Sequence, residues 1–188
     1  MPVVLLFILA PLITAIAQAG LLPEYLPMGW RPDIGLLFAI AGLVYLPRST
    51  ALALFFLLGL EADALGSARF GLMTFSYLFV ASALLSFERD WSRHGAFGAW
   101  MAMGLGTALG HGAYVTLGQF YGMSGGLFSG WLTACQRVLA ALACGWIPAW
   151  GLREVLRWGN LLSVETHETE KIALQNSGVR KKLRFADK

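Results

Sequence analysis

Six apolar blocks, separated by short polar or proline-bearing breaks, dominate this chain, and their length decides what it can fold into. A helix needs about 20 residues to cross the hydrocarbon core of a bilayer, so about six of them use roughly 120 residues. In a chain of 188 residues that is 57% hydrophobic and only 13% charged, with a mean hydropathy of +0.62, that leaves no room for a separate soluble enzyme domain. A nucleotide-binding or Rossmann-type module is thereby excluded. The expected fold is an all-α integral membrane protein: a compact bundle of about six transmembrane helices over residues 1–151, then a polar cytoplasmic tail over 152–188.

The first block, Val3 to Leu22, is read as an uncleaved span, because no Lys or Arg precedes it to make a signal-peptide n-region, although Ala17-Gln18-Ala19 has the look of a cleavage site. Pro23, Pro27 and Pro32 break the chain after it. The second block, Ile34 to Leu46, and the third, Ala51 to Leu60, are too short to cross alone. Each reaches full length only by taking in charged neighbours, Arg31 and Asp33 for the second, Glu61 and Asp63 for the third. A re-entrant hairpin over these two blocks is the alternative, and it leaves the sidedness of the termini unchanged. Phe70 to Phe87, a glycine-rich Ala96 to Gly118, and Leu127 to Gly151 with Arg137 near its middle complete the set.

Basic residues fix the orientation, since short cytoplasmic loops retain Lys and Arg. One side receives Arg48, Arg89, Arg93 and the tail's Arg153, Arg157, Lys171, Arg180, Lys181, Lys182, Arg184 and Lys188, while the other receives Arg31 and Arg69. Both termini are therefore expected in the cytoplasm of a plasma-membrane protein. Trp30, Trp91, Trp100, Trp131, Trp146 and Trp150 all fall near block boundaries, where tryptophan prefers to sit. Leu152, Val155, Leu156, Gly159 and Leu162 follow helical spacing, as in a short helix lying in the headgroup layer. The basic run at Arg180 to Arg184 suits either contact with anionic lipid or a solvated orientation signal. With a net charge of only +3, gathered in the tail, nucleic acid is not an expected partner.

Reactive constellations are scarce. Gly122-Met123-Ser124-Gly125 matches the serine motif of intramembrane rhomboid proteases, but no later span supplies the histidine base, and an outer turn is the better reading. Cys135 and Cys144 lie on opposite faces of one helix, which excludes a disulfide between them. Three histidines and two isolated cysteines give no metal spacing. Gly104, Gly106, Gly110 and Gly112 lack the order of a phosphate loop, whereas Gly106-x-x-x-Gly110 puts two small residues on one helix face for close packing, with His111 a packed polar residue beside them. No catalysis, cofactor or metal is expected.

Charges inside the membrane each cost several kcal/mol unless paired or wet. Arg137 therefore needs a partner, and its long side chain is expected to snorkel outward toward Asp33, Glu61 or Asp63. Asp33, after Pro32, also suits a helix cap. Glu61 and Asp63 point about 200° apart on a helix and are poorly placed as an acid–base pair. Three readings stay open: a polar clasp joining spans two, three and six, a site for a partner, or a solute path.

Arg31-Pro32-Asp33 opening an apolar span, the Pro47-Arg48 turn, then Gly59-Leu60-Glu61-Ala62-Asp63-Ala64-Leu65-Gly66-Ser67-Ala68-Arg69-Phe70-Gly71-Leu72 leading into a span with Tyr77, resemble the rod shape-determining MreD family. The likeness is detailed over about residues 28–85 and extends elsewhere to length, span number and tail; the longer tail and Arg137 depart from it. It implies a non-enzymatic scaffold of the bacterial cell-wall elongation machinery that binds the single-span protein MreC. Through MreC it would couple the MreB cytoskeleton to a shape-and-division polymerase and a class B transpeptidase. Docking is then expected on the glycine face of the fifth span, Gly104, Gly106 and Gly110, and on the charged ends of spans two and three, Asp33, Glu61 and Asp63.

The competing expectation is a transporter. The family is similar in helix arrangement to the substrate-binding subunits of energy-coupling-factor vitamin transporters, and Ala15-Ile16-Ala17-Gln18-Ala19 supplies the small-xxx-small pattern those subunits use for docking. A solute site needs several convergent polar groups, and beyond Arg31, Asp33, Glu61, Asp63 and Arg69 the outer side offers few.

Overall fold

The computed structural model describes residues 2–66, 70–87, 95–122 and 127–158, and every regular element among them is helical. Expectations about Arg69, Arg89, Trp91, Arg93, Ser124, Gly159, Leu162, His167 and the basic run at 180–184 fall outside the described residues. The chain divides into two compact units, 1–152 and 153–188.

The first apolar block forms α1 (Pro2–Ala15), which passes through a π-helical turn (Ile16–Leu21) into the short α2 (Leu22–Tyr25). A 3-10 turn (Met28–Trp30) then leads to α3 (Ile34–Tyr45), α4 (Arg48–Leu65) and α5 (Leu72–Ser86). The C-terminal half supplies α6 (Gly95–Phe120), α7 (Leu127–Cys144) and α8 (Trp146–Trp158). Prolines start or stop several of these: Pro47 stands at the N-cap of α4, and Pro32 precedes the Asp33 cap of α3.

Each apolar block contains a helix, but among the described residues only the Leu6–Tyr25 stretch is by itself long and apolar enough to cross a membrane; Phe128–Cys144 and Trp146–Glu154 are so jointly, across a 44° bend. α3 and α5 are apolar but shorter. α4 has the length but carries Arg48, Glu61 and Asp63. The sixth block was expected to run unbroken to Gly151; instead α7 ends at Cys144 and the chain turns at Gly145. A Cβ there would lie 2.6 Å from the Ala141 carbonyl of α7 itself and 2.7 Å from Met103 Sδ of α6, so the bend favours glycine. The helix expected from Leu152 onward thus begins earlier, at Trp146.

Within unit 1, α4 packs between α3 and α5, α6 lies against α3, α5 and α7, and α1 rests on α3 and α4. Leu36, Leu37 and Ile40 of α3, Leu54, Phe55 and Leu58 of α4, Val80 and Leu84 of α5 and Met103 of α6 are fully or almost fully buried and form the core. The exterior is apolar as well: Ile8, Leu12, Ile13, Phe75, Phe79, Leu105, Leu132 and Leu139 are all about half exposed.

Glycine brings the core helices into contact. A Cβ on Gly106 would meet Ile40 Cδ1 at 2.6 Å, and one on Gly110 would meet Leu36 Cδ2 at 2.9 Å and Val80 Cγ2 at 3.2 Å; Gly104 faces Leu142 Cδ2 at 2.7 Å. All three glycines are buried. The expectation that this face docks a partner is corrected: the chain's own α3, α5 and α7 already fill it.

Candidate functional site

Of the buried polar side chains described in this unit, Thr14, Asp33, Asp63, Thr74 and Ser76 lie where α1 gives way to α2, α3 begins, α4 ends and α5 begins, while Thr107 and His111 are on α6. Asp33 sits at the N-cap of α3, and its Oδ1 accepts from Leu36 N at 3.0 Å, from Gln18 Nε2 at 2.9 Å and from Tyr77 Oη at 2.6 Å. The backbone bond satisfies one of the amides that a helix start leaves open; the other two tie α3 to the π-helical turn and to α5. Gly35 makes room for this meeting, since a Cβ there would lie 3.1 Å from Tyr77 Oη and 3.4 Å from Gln18 Nε2. Asp33 and Tyr77 are both buried.

Asp63 performs a similar task at a distance. Near the C-terminal end of α4, its carboxylate accepts from Met73 N at 2.9 Å, Thr74 N at 3.0 Å and Thr74 Oγ1 at 2.5 Å. The N-cap position of α5 is Gly71, held at φ 96° in the left-handed region that glycine favours, and it has no side chain with which to cap. Asp63 supplies the missing cap from the neighbouring helix, and its negative charge stands at the positive end of the α5 dipole. Gly59, one turn earlier, lets α5 approach: a Cβ there would be 2.7 Å from Thr74 Cα.

Glu61 faces the other way. Thr14 Oγ1 lies 2.8 and 2.7 Å from its two carboxylate oxygens and 2.9 Å from the Ala10 carbonyl, so the single hydroxyl proton links α1 to α4 or bonds back along α1. The divergence of Glu61 and Asp63 read from the helical period is present as α1 and α5 contacts.

Arg137 departs from expectation. Among the described residues it forms no ion pair with Asp33, Glu61 or Asp63; its nearest polar contact is a long one, Nη1 to His111 Nδ1 at 3.5 Å, and its Nε is buried without a partner. Arginine can only donate, so Nδ1 must accept, which puts the imidazole proton on Nε2, itself buried and unpartnered. The physical reason for the correction is competition: Gln18, Tyr77 and Leu36 N hold Asp33 Oδ1, Met73 N and Thr74 hold both oxygens of Asp63, and Thr14 faces Glu61. The clasp thus joins α1, α3, α4 and α5, not spans two, three and six.

Between these elements lies a cavity of about 230 Å³, lined in part by Gln18, Arg31, Asp33, Ala62, Met73 and Arg137. Arg31 is anchored by Nε to the Leu26 carbonyl at 2.9 Å and by Nη2 to the Pro23 carbonyl at 3.3 Å. Among the described residues no three His, Cys, Asp or Glu side chains group as metal ligands, and Cys135 and Cys144 are both free.

Gln18, Thr14 and Thr74 were not singled out in the sequence. The available signal was the isolation of a hydroxyl or amide within an apolar block, since such a group needs a partner on another helix. No protein-family model, curated protein or solved structure matches this chain.

Proposed function

We propose that this chain is a non-enzymatic, multi-pass scaffold of the bacterial plasma membrane, of the MreD type, with about six spans and both termini in the cytoplasm. It binds MreC in the bilayer and supports lateral peptidoglycan synthesis and rod shape. One observation carries the reading: Asp33, Gly59, Asp63 and Tyr77, all within the resemblance, converge on α5. Asp33 meets Tyr77, Asp63 caps the helix that contains Tyr77, and Gly59 packs on the same helix turn. Scattered over 45 positions in sequence, they act together as architecture, as a family-wide fold signature would.

Two further points support it. The contacts that Asp33, Glu61 and Asp63 make each join one helix to another. The exterior of the bundle exposes Phe, Leu and Ile over much of its described length, a surface suited to lipid tails or to a partner's span. In this reading Trp30, Trp100, Trp131, Trp146 and Trp150, each well exposed, sit at the interfaces. The short α3 and the bent α7–α8 pair reach the headgroups through their charged or broken ends.

The second reading, a solute-binding transporter subunit, draws on the cavity with its converging Gln18, Arg31, Asp33 and Arg137. At about 230 Å³ it falls below the roughly 300–1,000 Å³ that enclose a drug-sized ligand, which favours the scaffold over a vitamin binder. Depletion of the chain from the cells that encode it tests the choice. Rounded cells with normal vitamin uptake support the scaffold; normal rods with lost uptake overturn it.

A further inference from the structure

Arg137 is a cation in the middle of an apolar helix with no carboxylate in salt-bridge range among the described residues. It lines the same cavity as Arg31 and Gln18. Asp33, also in the lining, accepts three hydrogen bonds at Oδ1, and the lining carries two guanidinium groups against this one carboxylate. A guanidinium has five N–H donors. Two of Arg31's go to carbonyls, which fix the side chain and leave the others for the cavity. Gln18 gives one amide proton to Asp33 and retains a second. An apolar surround makes unneutralised donors of this kind expensive to leave empty.

We infer that this cavity binds a phosphate-type oxyanion, held between the guanidinium forks of Arg137 and Arg31 with Gln18 as a further donor. Guanidinium matches such oxygens with paired, charge-assisted hydrogen bonds, which a point-charge lysine does less well. Size sets the class. At about 230 Å³ the cavity lies below the roughly 300–1,000 Å³ that enclose a drug-sized ligand, so it suits a small oxyanion group better than a large organic molecule. Ala19 and Leu65 of the lining are exposed, so the remainder of a larger ligand can leave by that side. A lipid headgroup and free phosphate share this chemistry. The site goes beyond the scaffold reading and does not depend on it, because it needs no protein partner.

The test uses the full chain in a maltoside detergent, which contains no phosphate. Inorganic phosphate is titrated calorimetrically against a chloride-matched control, and phosphatidylglycerol retention is followed by native mass spectrometry, alone and in competition with phosphate. Saturable phosphate binding that displaces the lipid assigns the site to a soluble anion; lipid retained against excess phosphate assigns it to a headgroup. In either case Arg137→Gln weakens binding by about tenfold or more, and Arg137→Lys recovers part of it. Ala19→Trp, which narrows the cavity and leaves its charges in place, also weakens binding, while Arg157→Gln, outside the lining, binds as the parent does. Absence of saturable binding by both probes, or unchanged binding in both Arg137→Gln and Ala19→Trp, overturns the inference.

Discussion

Tyr77 Oη donates to Asp33 Oδ1 at 2.6 Å, across 44 positions of sequence, and so fixes the middle of α5 to the first turn of α3. Both groups are buried in an apolar unit, where a hydrogen bond to a carboxylate contributes more than at a surface. Tyr77→Phe keeps the ring and removes the donor. It should lower unfolding free energy by about 1.5–3 kcal/mol, measured by denaturation in detergent with a helicity readout. A loss below a few tenths of a kcal/mol would mean that the bond contributes nothing net.

Asp63 caps α5 from the end of α4 through Met73 N and Thr74 N. Asp63→Ala leaves both amides without their acceptor and should cost about 1–3 kcal/mol, whereas Asp63→Asn, which keeps an acceptor oxygen, should cost less. Amide hydrogen exchange localises the effect: protection should fall first at Met73 and Thr74. Uniform loss along all helices would contradict a local cap.

Gly106 tests the corrected role of the glycine face. With Ile40 Cδ1 2.6 Å from where a Cβ would stand, Gly106→Leu forces α3 and α6 apart and should destabilise the bundle by about 1–3 kcal/mol or more. Gly20→Ala is the control, since nothing lies within 4 Å of that position. Had the face been a partner surface, Gly106→Leu would leave the isolated chain as stable as its parent.

The Thr14–Glu61 contact joins α1 to the rest of unit 1. Thr14→Val and Glu61→Gln, singly and together, form a double-mutant cycle. The expected coupling is about 0.5–1.5 kcal/mol, because one shared hydroxyl proton limits what the pair can contribute. Strict additivity would show that α1 is held by apolar contacts alone.

How far the sequence speaks for this fold can be seen at individual residues. The apolar blocks marked the helices, and Pro32-Asp33 marked the start of α3, because both signals are local. The divergence of Glu61 and Asp63 followed from the helical period. Their partners did not, since Thr14 and Thr74 lie 47 and 11 positions away and only packing decides which helices meet. Arg137 follows a related logic: a count of charges assigns it a carboxylate, whereas neutral donors hold Asp33 Oδ1 and both oxygens of Asp63, and its nearest polar contact is His111. The bend at Gly145 lies inside an uninterrupted apolar run, and the atoms that crowd a Cβ there, the Ala141 carbonyl and Met103 Sδ, come together only in the folded chain.

In the proposed scaffold, the Asp33 and Asp63 contacts are architecture, and the work is done by binding another membrane protein. The most direct measurement is gentle detergent extraction of the tagged chain from its own membranes, with mass spectrometry of what accompanies it. The account predicts a single-span protein bearing a large extracytoplasmic coiled-coil and β domain, together with wall synthases. Recovery of a cytosolic ATPase pair with a coupling membrane subunit, or of a tightly held vitamin, would contradict it.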